Sequence, residues 1–291
     1  MSIRNVGLVT CGDRMMAQQL KSIQGFRLVT ADLGRLARFY GDVLGFSAEG
    51  AVQQIAAGEM ELLGLAGKGK RQILSIGGQS VTLDEFEVAG RPYPGDSDAA
   101  SILFQHLALV VVDIADAYVR LRDATPISVG GPQHLPPESG GVHAFKFRDP
   151  DGHPLELLQF PPAGVPTIWQ DRRAFPPQIA LGIDHSAISV GDADISTAFY
   201  TALGLKSGKR TYNKGPAQEK LDGLGNAEVR VTPMNPGIDP PHLELLAYNV
   251  SPALAATPLL PNDVAATRVV WQGCSAELFR DPNGHLHQVE T

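Results

Sequence analysis

The chain repeats itself, and a repeat constrains architecture before any single residue is interpreted. Ile183-Asp184-His185-Ser186-Ala187-Ile188-Ser189-Val190, followed by Asp192 and by Phe199-Tyr200-Thr201-Ala202-Leu203-Gly204-Leu205, echoes an earlier stretch. That stretch is Phe26-Arg27-Leu28-Val29-Thr30, Asp32 and Phe39-Tyr40-Gly41-Asp42-Val43-Leu44-Gly45-Phe46. The same strand–Asp–helix start occurs at His106-Leu107-Ala108-Leu109-Val110-Val111-Val112-Asp113. A second motif, Phe147-Arg148-Asp149-Pro150-Asp151-Gly152-His153, returns as Phe279-Arg280-Asp281-Pro282-Asn283-Gly284-His285.

Each repeat opens with an apolar or alternating strand, then an Asp suited to cap a helix, then apolar residues three and four apart. Leu33, Leu36, Phe39, Tyr40 and Val43 form such a face and Gly45 ends it; Ile195, Ala198, Phe199, Ala202 and Leu203 do the same before Gly204. Three strand-like segments follow each helix, the last being Ser80–Leu83, Leu155–Leu158 and Leu243–Leu246. The Asp149-Pro150-Asp151-Gly152 stretch is turn chemistry, with Gly supplying the positive φ. The module is therefore βαβββ, at roughly 25–86, 104–160 and 183–248. A fourth, at about 265–291, is shortened: Thr267–Trp271 starts it and the Asp281–Gly284 turn precedes its last strand, with no helix between.

Pro-rich stretches separate the units. The predicted organisation is an N-terminal extension 1–24, modules one and two over 25–160, a Pro-rich linker 161–182 as the domain boundary, and module three with the shortened module four over 183–291. His153 and His285 follow tight turns and read as turn or surface residues.

Composition sets the class. A chain of 291 residues with 43% hydrophobic and 19% charged residues is a soluble globular protein with ample core. A net charge of −7 argues against nucleic acid or an anionic membrane as partner. Cys11 and Cys274 are too few for a disulfide framework, so a reducing, cytoplasmic setting is expected. Asp13, Arg14 and Lys21 break the N-terminal stretch, which reads as neither signal peptide nor membrane span.

With these motifs in order, the chain resembles the vicinal oxygen chelate superfamily, which includes glyoxalase I, extradiol ring-cleaving dioxygenases and the fosfomycin- and bleomycin-resistance proteins. The resemblance rests on the three strand–Asp–helix starts, the Phe-Tyr…Leu-Gly helix ends, and the Asp-Pro-x-Gly-His turn leading into Leu-Glu-Leu. It implies an α+β fold in which modules pair into two cupped mixed sheets with helices outside. It also implies metal ligands at the start of the first strand and the middle of the last strand of each module.

Read at those positions, module one offers Gly25 and Thr82, module two His106 and Glu156, module three His185 and Glu244, and module four Thr267 or Arg268 with Gln288. Pairing in order leaves two half-built sites. Pairing two with three, and one with four, gathers His106, Glu156, His185 and Glu244 in one cup and leaves the other without ligands. The sequence leaves the pairing open, although two complete pairs beside two empty ones fit one kept site.

Two imidazoles and two carboxylates suit a divalent Fe, Mn, Co, Ni or Zn ion. The resemblance to glyoxalase I implies that Glu156 or Glu244 also serves as general base. A small-molecule substrate is the expected partner, with candidate contacts His143, Lys146, Arg210, Tyr212 and Asn213, and with Lys214 and Gln218 nearby. Arg or Lys there would hold a carboxylate or phosphate. Gly130-Gly131-Pro132 and Ser139-Gly140-Gly141 bracket a loop able to close over a ligand. The activity expected is a metal-dependent lyase or isomerase of the glyoxalase type. The alternatives are an extradiol dioxygenase and a metal-free binding or resistance protein. A four-module chain closes both cups internally, which suits a monomer, and an exposed sheet edge leaves a homodimer open.

Overall fold

The computed structural model describes residues 19–173, 179–238, 240–251 and 258–291. Most of the predicted N-terminal extension, Cys11 included, lies outside the described residues. Module one contributes β1 (Ser22–Val29), β2 (Ser47–Gln54), β3 (Gly69–Ile76) and β4 (Gln79–Phe86). Module two contributes β5 (Gln105–Val111), β6 (Thr125–Pro126), β7 (Gln133–His134), β8 (His143–Arg148) and β9 (Pro154–Gln159). Module three contributes β10 (Ala180–Ser189), β11 (Lys206–Ser207), β12 (Thr211–Asn213), β13 (Val229–Asn235) and β14 (His242–Tyr248). The short module four has β15 (Arg268–Gln272), β16 (Glu277–Arg280) and β17 (Leu286–Glu290), with no described helix among them.

The strands form two mixed sheets. One runs β16-β17-β15-β1-β4-β3-β2, joining modules four and one. The other runs β11-β13-β14-β10-β5-β9-β8-β6, joining modules three and two, with β12 on β13 and β7 on β8. Modules two and three therefore share an inner sheet, and modules one and four an outer one. Burial explains the order: every residue of β5 is buried, as a central strand requires, whereas every residue of β2 is exposed at its sheet's edge. Residues 161–182, expected to separate two domains, connect two modules of one sheet, since β5 and β10 are antiparallel neighbours. The helix Thr167–Arg173 lies inside this segment.

The helices start as their sequences require. Asp32, Asp113 and Asp192 accept hydrogen bonds from the first-turn backbone N–H groups of Arg35, of Ala115 and Asp116, and of Asp194 and Ile195. The first helix, Leu33–Arg38, continues as a π-helical turn, Phe39–Val43, before Gly45 at φ +84°. Alternation then sorts the strands' faces. Phe26 and Leu28, Leu107 and Leu109, Leu243 and Leu245, and Val269 and Trp271 join Leu36, Tyr40, Ile114 and Tyr200 of the helices in one core. The other face of each sheet is left to form a cup.

Reciprocal clamps tie the sheets together. Tyr40 on the module-one helix donates to Asp149 in the module-two turn (3.2 Å), and Tyr200 on the module-three helix donates to Asp281 in the module-four turn (3.1 Å). This corrects the reading of His153 and His285 as surface residues. Both sit beside their turns but are buried, His153 with Nδ1 2.8 Å from Asp149 and His285 with Nε2 3.0 Å from the Ser189 carbonyl. The turns are covered by helices of other modules, which local sequence does not reveal.

Candidate metal centre in the inner cup

Strand register builds the site. In the β5–β10 ladder, Ala187 faces His106 and His185 faces Ala108. On the flanks, Glu156 of β9 pairs with Ala108, and Glu244 of β14 pairs with Ala187. Each histidine thus lies diagonally across from the other, with a glutamate beside each small alanine. Their neighbours Leu107, Leu155, Leu243 and Leu245 point into the core, so the four polar side chains face the cup.

The distances are those of a chelating cluster. His106 Nε2 lies 2.8 Å from Glu156 Oε2, His185 Nε2 lies 4.0 Å from the same oxygen, and His185 Nε2 lies 3.6 Å from Glu244 Oε2. The imidazole centroids of His106 and His185 are 5.7 Å apart. His106, Glu156 and His185 each bring one ligand atom within 4.8 Å of the others. Glu244 sits a little outside this triad, its other oxygen 3.5 Å from His242 Nε2. His242 precedes Glu244 by two residues in a strand, so it shares that face. Period-two alternation nominates it, a signal that comparison of the modules at their ligand positions misses.

Electrostatics favour a cation. Burial, reinforced by the charge of Lys146, lowers the pKa of His106 and keeps its ring neutral. Both of its ring nitrogens are buried without a hydrogen-bonding partner of acceptable angle. Glu156 is pulled down to about 2, Lys146, His106 and His185 outweighing the burial that would raise it. Glu244 is likewise held at about 2, by His185 and His242 against burial. Burial would lower His185 too, but Glu244 and Asp184 turn its shift upward. Two ionised carboxylates, two imidazole nitrogens facing them, and a buried ring whose Nδ1 has no partner fit a divalent transition-metal ion.

The cluster opens onto a cavity of about 230 Å³. Lys146 and Asn213 line it, together with Ser139 and Gly140 of the bracketed loop. Lys146 Nζ is 2.6 Å from Asp222 Oδ1, while Gln218 Nε2 donates to the other oxygen of that carboxylate at 2.7 Å. Gln218 Oε1 and Asn213 Oδ1 are buried without partners. Leu135, Val142, Leu158, Phe160, Leu221 and Leu246 supply apolar wall.

The other substrate-contact candidates do not line this cavity. His143 stacks on His134 at 4.4 Å, Arg210 pairs with Asp194 at 2.6 Å on the surface, and Tyr212, half exposed, donates to Glu228. Lys214 lies over the Tyr212 ring, 5.6 Å from its centroid. Asp222, the counter-ion of Lys146, carried no signal in the sequence, because a helix-end Asp is ordinary.

The outer cup is built on the same register and filled differently. Arg268 faces Arg27 as His185 faces Ala108, and Gly25 faces Val270 as His106 faces Ala187. A Cβ at Gly25 would come within 2.8 Å of the Ser80 carbonyl oxygen, so no ligand side chain fits there. Arg268 is fully buried and pairs with Asp84 at 2.5 Å; Asp84 also binds Arg71 at 2.9 Å. Arg71 reaches Glu59 at 2.7 Å, and Arg27 pairs with Glu59 and Glu290. An ion-pair network stands in this cup where the inner one has its four donors.

Comparison with known proteins agrees with this architecture. Residues 22–157 match the Glyoxalase/Bleomycin resistance protein/Dioxygenase superfamily. Glyoxalase I of Zea mays has the same fold, with a TM-score of 0.57 at 15% identity, covering 95% of this chain and 94% of that one. A candidate dioxygenase of Bacillus subtilis gives 0.53 at 12% identity, covering 93% and 85%. In sequence, the chain is 29% identical over 138 residues to virulence protein STM3117 of Salmonella typhimurium, spanning 46% of this chain and 80% of that protein. The chain is thus a mixed α+β protein of the glyoxalase fold. The family match falls on residues 22–157, and the modules beyond them repeat the same plan.

Proposed function

We propose that the chain is a metal-dependent lyase or isomerase of the glyoxalase type, acting on a small oxygen-rich substrate in the inner cup. The observation that carries this reading is the convergence of His106, Glu156, His185 and Glu244 on one cavity-facing surface. These four residues would hold a divalent ion, which when bound supplies a Lewis acid for two adjacent substrate oxygens. Glu156 lies against both histidines and is the more buried carboxylate, which suits a permanent ligand. Glu244 touches only the outer side of the cluster and is more exposed, which suits a carboxylate that leaves to take a proton from carbon. Ser139, Gly140 and the apolar wall would exclude water from that transfer.

The charge of the cavity narrows the substrate. Lys146 is neutralised by Asp222, and Glu156 and Glu244 are ionised. This favours a neutral substrate over the carboxylate or phosphate that a free lysine would attract. Gln218 Oε1, whose orientation is fixed because its NH₂ must donate to Asp222, offers an acceptor to a substrate hydroxyl or N–H.

The second reading is ring cleavage, favoured by the compact His106–Glu156–His185 triad, since two histidines and one carboxylate are the ligand set of non-haem Fe(II) oxygenases. It requires nothing from module four. Elemental analysis of the chelator-free chain decides first: about one metal per chain, lost in both His106→Ala and His185→Ala, is expected. Absence of metal after reconstitution with Fe(II), Mn(II), Ni(II) and Zn(II) would leave a metal-free binding protein. Oxygen uptake with catechols by the Fe(II) form would select the dioxygenase instead. Among the described residues no helix is long and apolar enough to cross a membrane.

A further inference from the structure

We infer that Asp184 and Trp169 form a positioning relay that orients His185 for the metal, so that the segment between modules two and three controls the affinity of the inner cup. The inference rests on the metal-binding reading above and adds residues outside the four donors.

The relay starts from a backbone irregularity. Between Ile183 and His185 the β10–β5 register shifts, making Asp184 the extra residue of a β-bulge. In a regular strand Asp184 would face away from His185. The bulge puts consecutive side chains on one face: Ile183 is in the core, whereas Asp184 and His185 both line the cavity. Asp184 Oδ2 then lies 3.0 Å from His185 Nδ1. A carboxylate beside Nδ1 requires the ring proton there, which leaves the Nε2 lone pair toward Glu156 and Glu244. The second oxygen is also fixed: Trp169 Nε1 donates to Asp184 Oδ1 at 3.0 Å. Trp169 is fully buried on the helix Thr167–Arg173.

The rest of the neighbourhood holds this geometry. The guanidinium of Arg172 lies 4.8 Å over the Trp169 ring, and its Nη1 donates to the Leu181 carbonyl at 3.1 Å. Gln79 of β4 bridges both backbone groups of Ile183, accepting from its N–H and donating to its carbonyl, each at 2.7 Å. Gly182, at φ +152°, allows the approach: a Cβ there would lie 2.3 Å from Arg172 Nη1 and 2.4 Å from Gln79 Oε1. A residue of the outer sheet thus braces the bulge that aims an inner-sheet histidine. His106 has no such partner on its Nδ1, so the two histidines are not equivalent: His185 is pre-oriented and His106 is not.

Carboxylates and backbone groups behind ligating histidines typically account for about 10–100-fold in metal affinity. The test is Co(II) binding to the metal-free full-length chain, read by competition with a chromophoric chelator and by the visible band of the bound ion. Asp184→Asn replaces the anionic acceptor and is expected to weaken Co(II) by about 10–100-fold and shift the band. Trp169→Phe keeps an aromatic ring, removes the N–H together with the five-membered ring of the indole, and is expected to weaken Co(II) several-fold. Thermal unfolding of the metal-free forms is the control for a merely structural role, which would lower the melting temperature and leave Co(II) affinity and band unchanged. That result, in both variants, overturns the relay while the metal site stands. Failure of the unaltered chain to bind Co(II), Zn(II) or Fe(II) overturns the relay and the metal reading together.

Discussion

Lys146 keeps its charge inside a buried cavity because Asp222 lies 2.6 Å away. Burial alone would lower its pKa; Asp222, and next Glu156, reverse that. Removing one member of such a pair strands the other charge, which costs about 3–5 kcal/mol, whereas replacing both by apolar groups is close to neutral. Asp222→Asn should therefore lower urea stability by that amount, and the double variant Lys146→Met/Asp222→Leu should recover most of it. A double-variant loss equal to the sum of the Lys146→Met and Asp222→Leu losses would mean that the pair contributes no such coupling. Under the proposed function the two glutamates would divide their roles. Glu156→Gln should cut metal affinity more than tenfold, because it removes the carboxylate shared by both histidines. Glu244→Gln should retain metal and lower kcat by about 10²–10⁴-fold. Metal content and turnover measured on the same preparations separate the two roles; retained metal and full activity in both variants would refute them.

The elements are coupled by a chain of hydrogen bonds from β15 and β17 to a helix of the inner half. Trp271 Nε1 donates to His287 Nδ1 at 3.0 Å, His287 Nε2 lies 2.9 Å from the Tyr200 hydroxyl, and Tyr200 donates to Asp281. A neutral ring fits these partners; a protonated one would lose its acceptor for Trp271. Burial lowers the pKa of His287 from 6.5 to about 4. The unfolded chain then binds the proton first as pH falls, so this stability is complete above about 6.5 and is lost between there and about 4. The shift corresponds to at most about 3 kcal/mol. His287→Gln should be less stable at neutral pH and lose less on acidification through that window; parallel urea curves for both chains would sink the assignment. Such couplings mark the limit of what the chain discloses by itself. The Asp caps, the glycine stops and the tight turns are local, so their residues announce them. The burial of His153 and His285 depends on residues distant in sequence, Tyr93 and Ser189 among them, and the bulge at Asp184 depends on a ladder with β5. His106, Glu156, His185 and Glu244 were nominated by the family resemblance, read at matching positions of the repeated modules, whereas Asp222, Trp169 and the inner pairing needed the register of distant strands.

At the scale of the molecule, the two sheets are copies of one plan with different occupants. Pairing two with three places both histidines and both glutamates in one cup, and pairing one with four gives the other cup Arg268 at the histidine position and Gln288 at the glutamate position. Packing at Gly25 blocks the remaining histidine position outright. The outer cup therefore acts as a structural brace, its Arg27, Arg71 and Arg268 meeting Glu59, Asp84 and Glu290 across modules one and four. Under the proposed function, this asymmetry would separate stability from metal binding. Arg268→Met leaves fully buried Asp84 with one guanidinium instead of two. It should cost about 3 kcal/mol of stability. Because the pair is buried, salt should change that loss little. Metal content should stay at one per chain. His185→Ala should show the reverse pattern, losing metal while the metal-free form unfolds close to the unaltered chain. Loss of metal in Arg268→Met with retention in His185→Ala would assign the chemistry to the outer cup, and two metals per chain would refute the asymmetry. The expected pattern makes one half of the duplication the frame against which the other half holds its site.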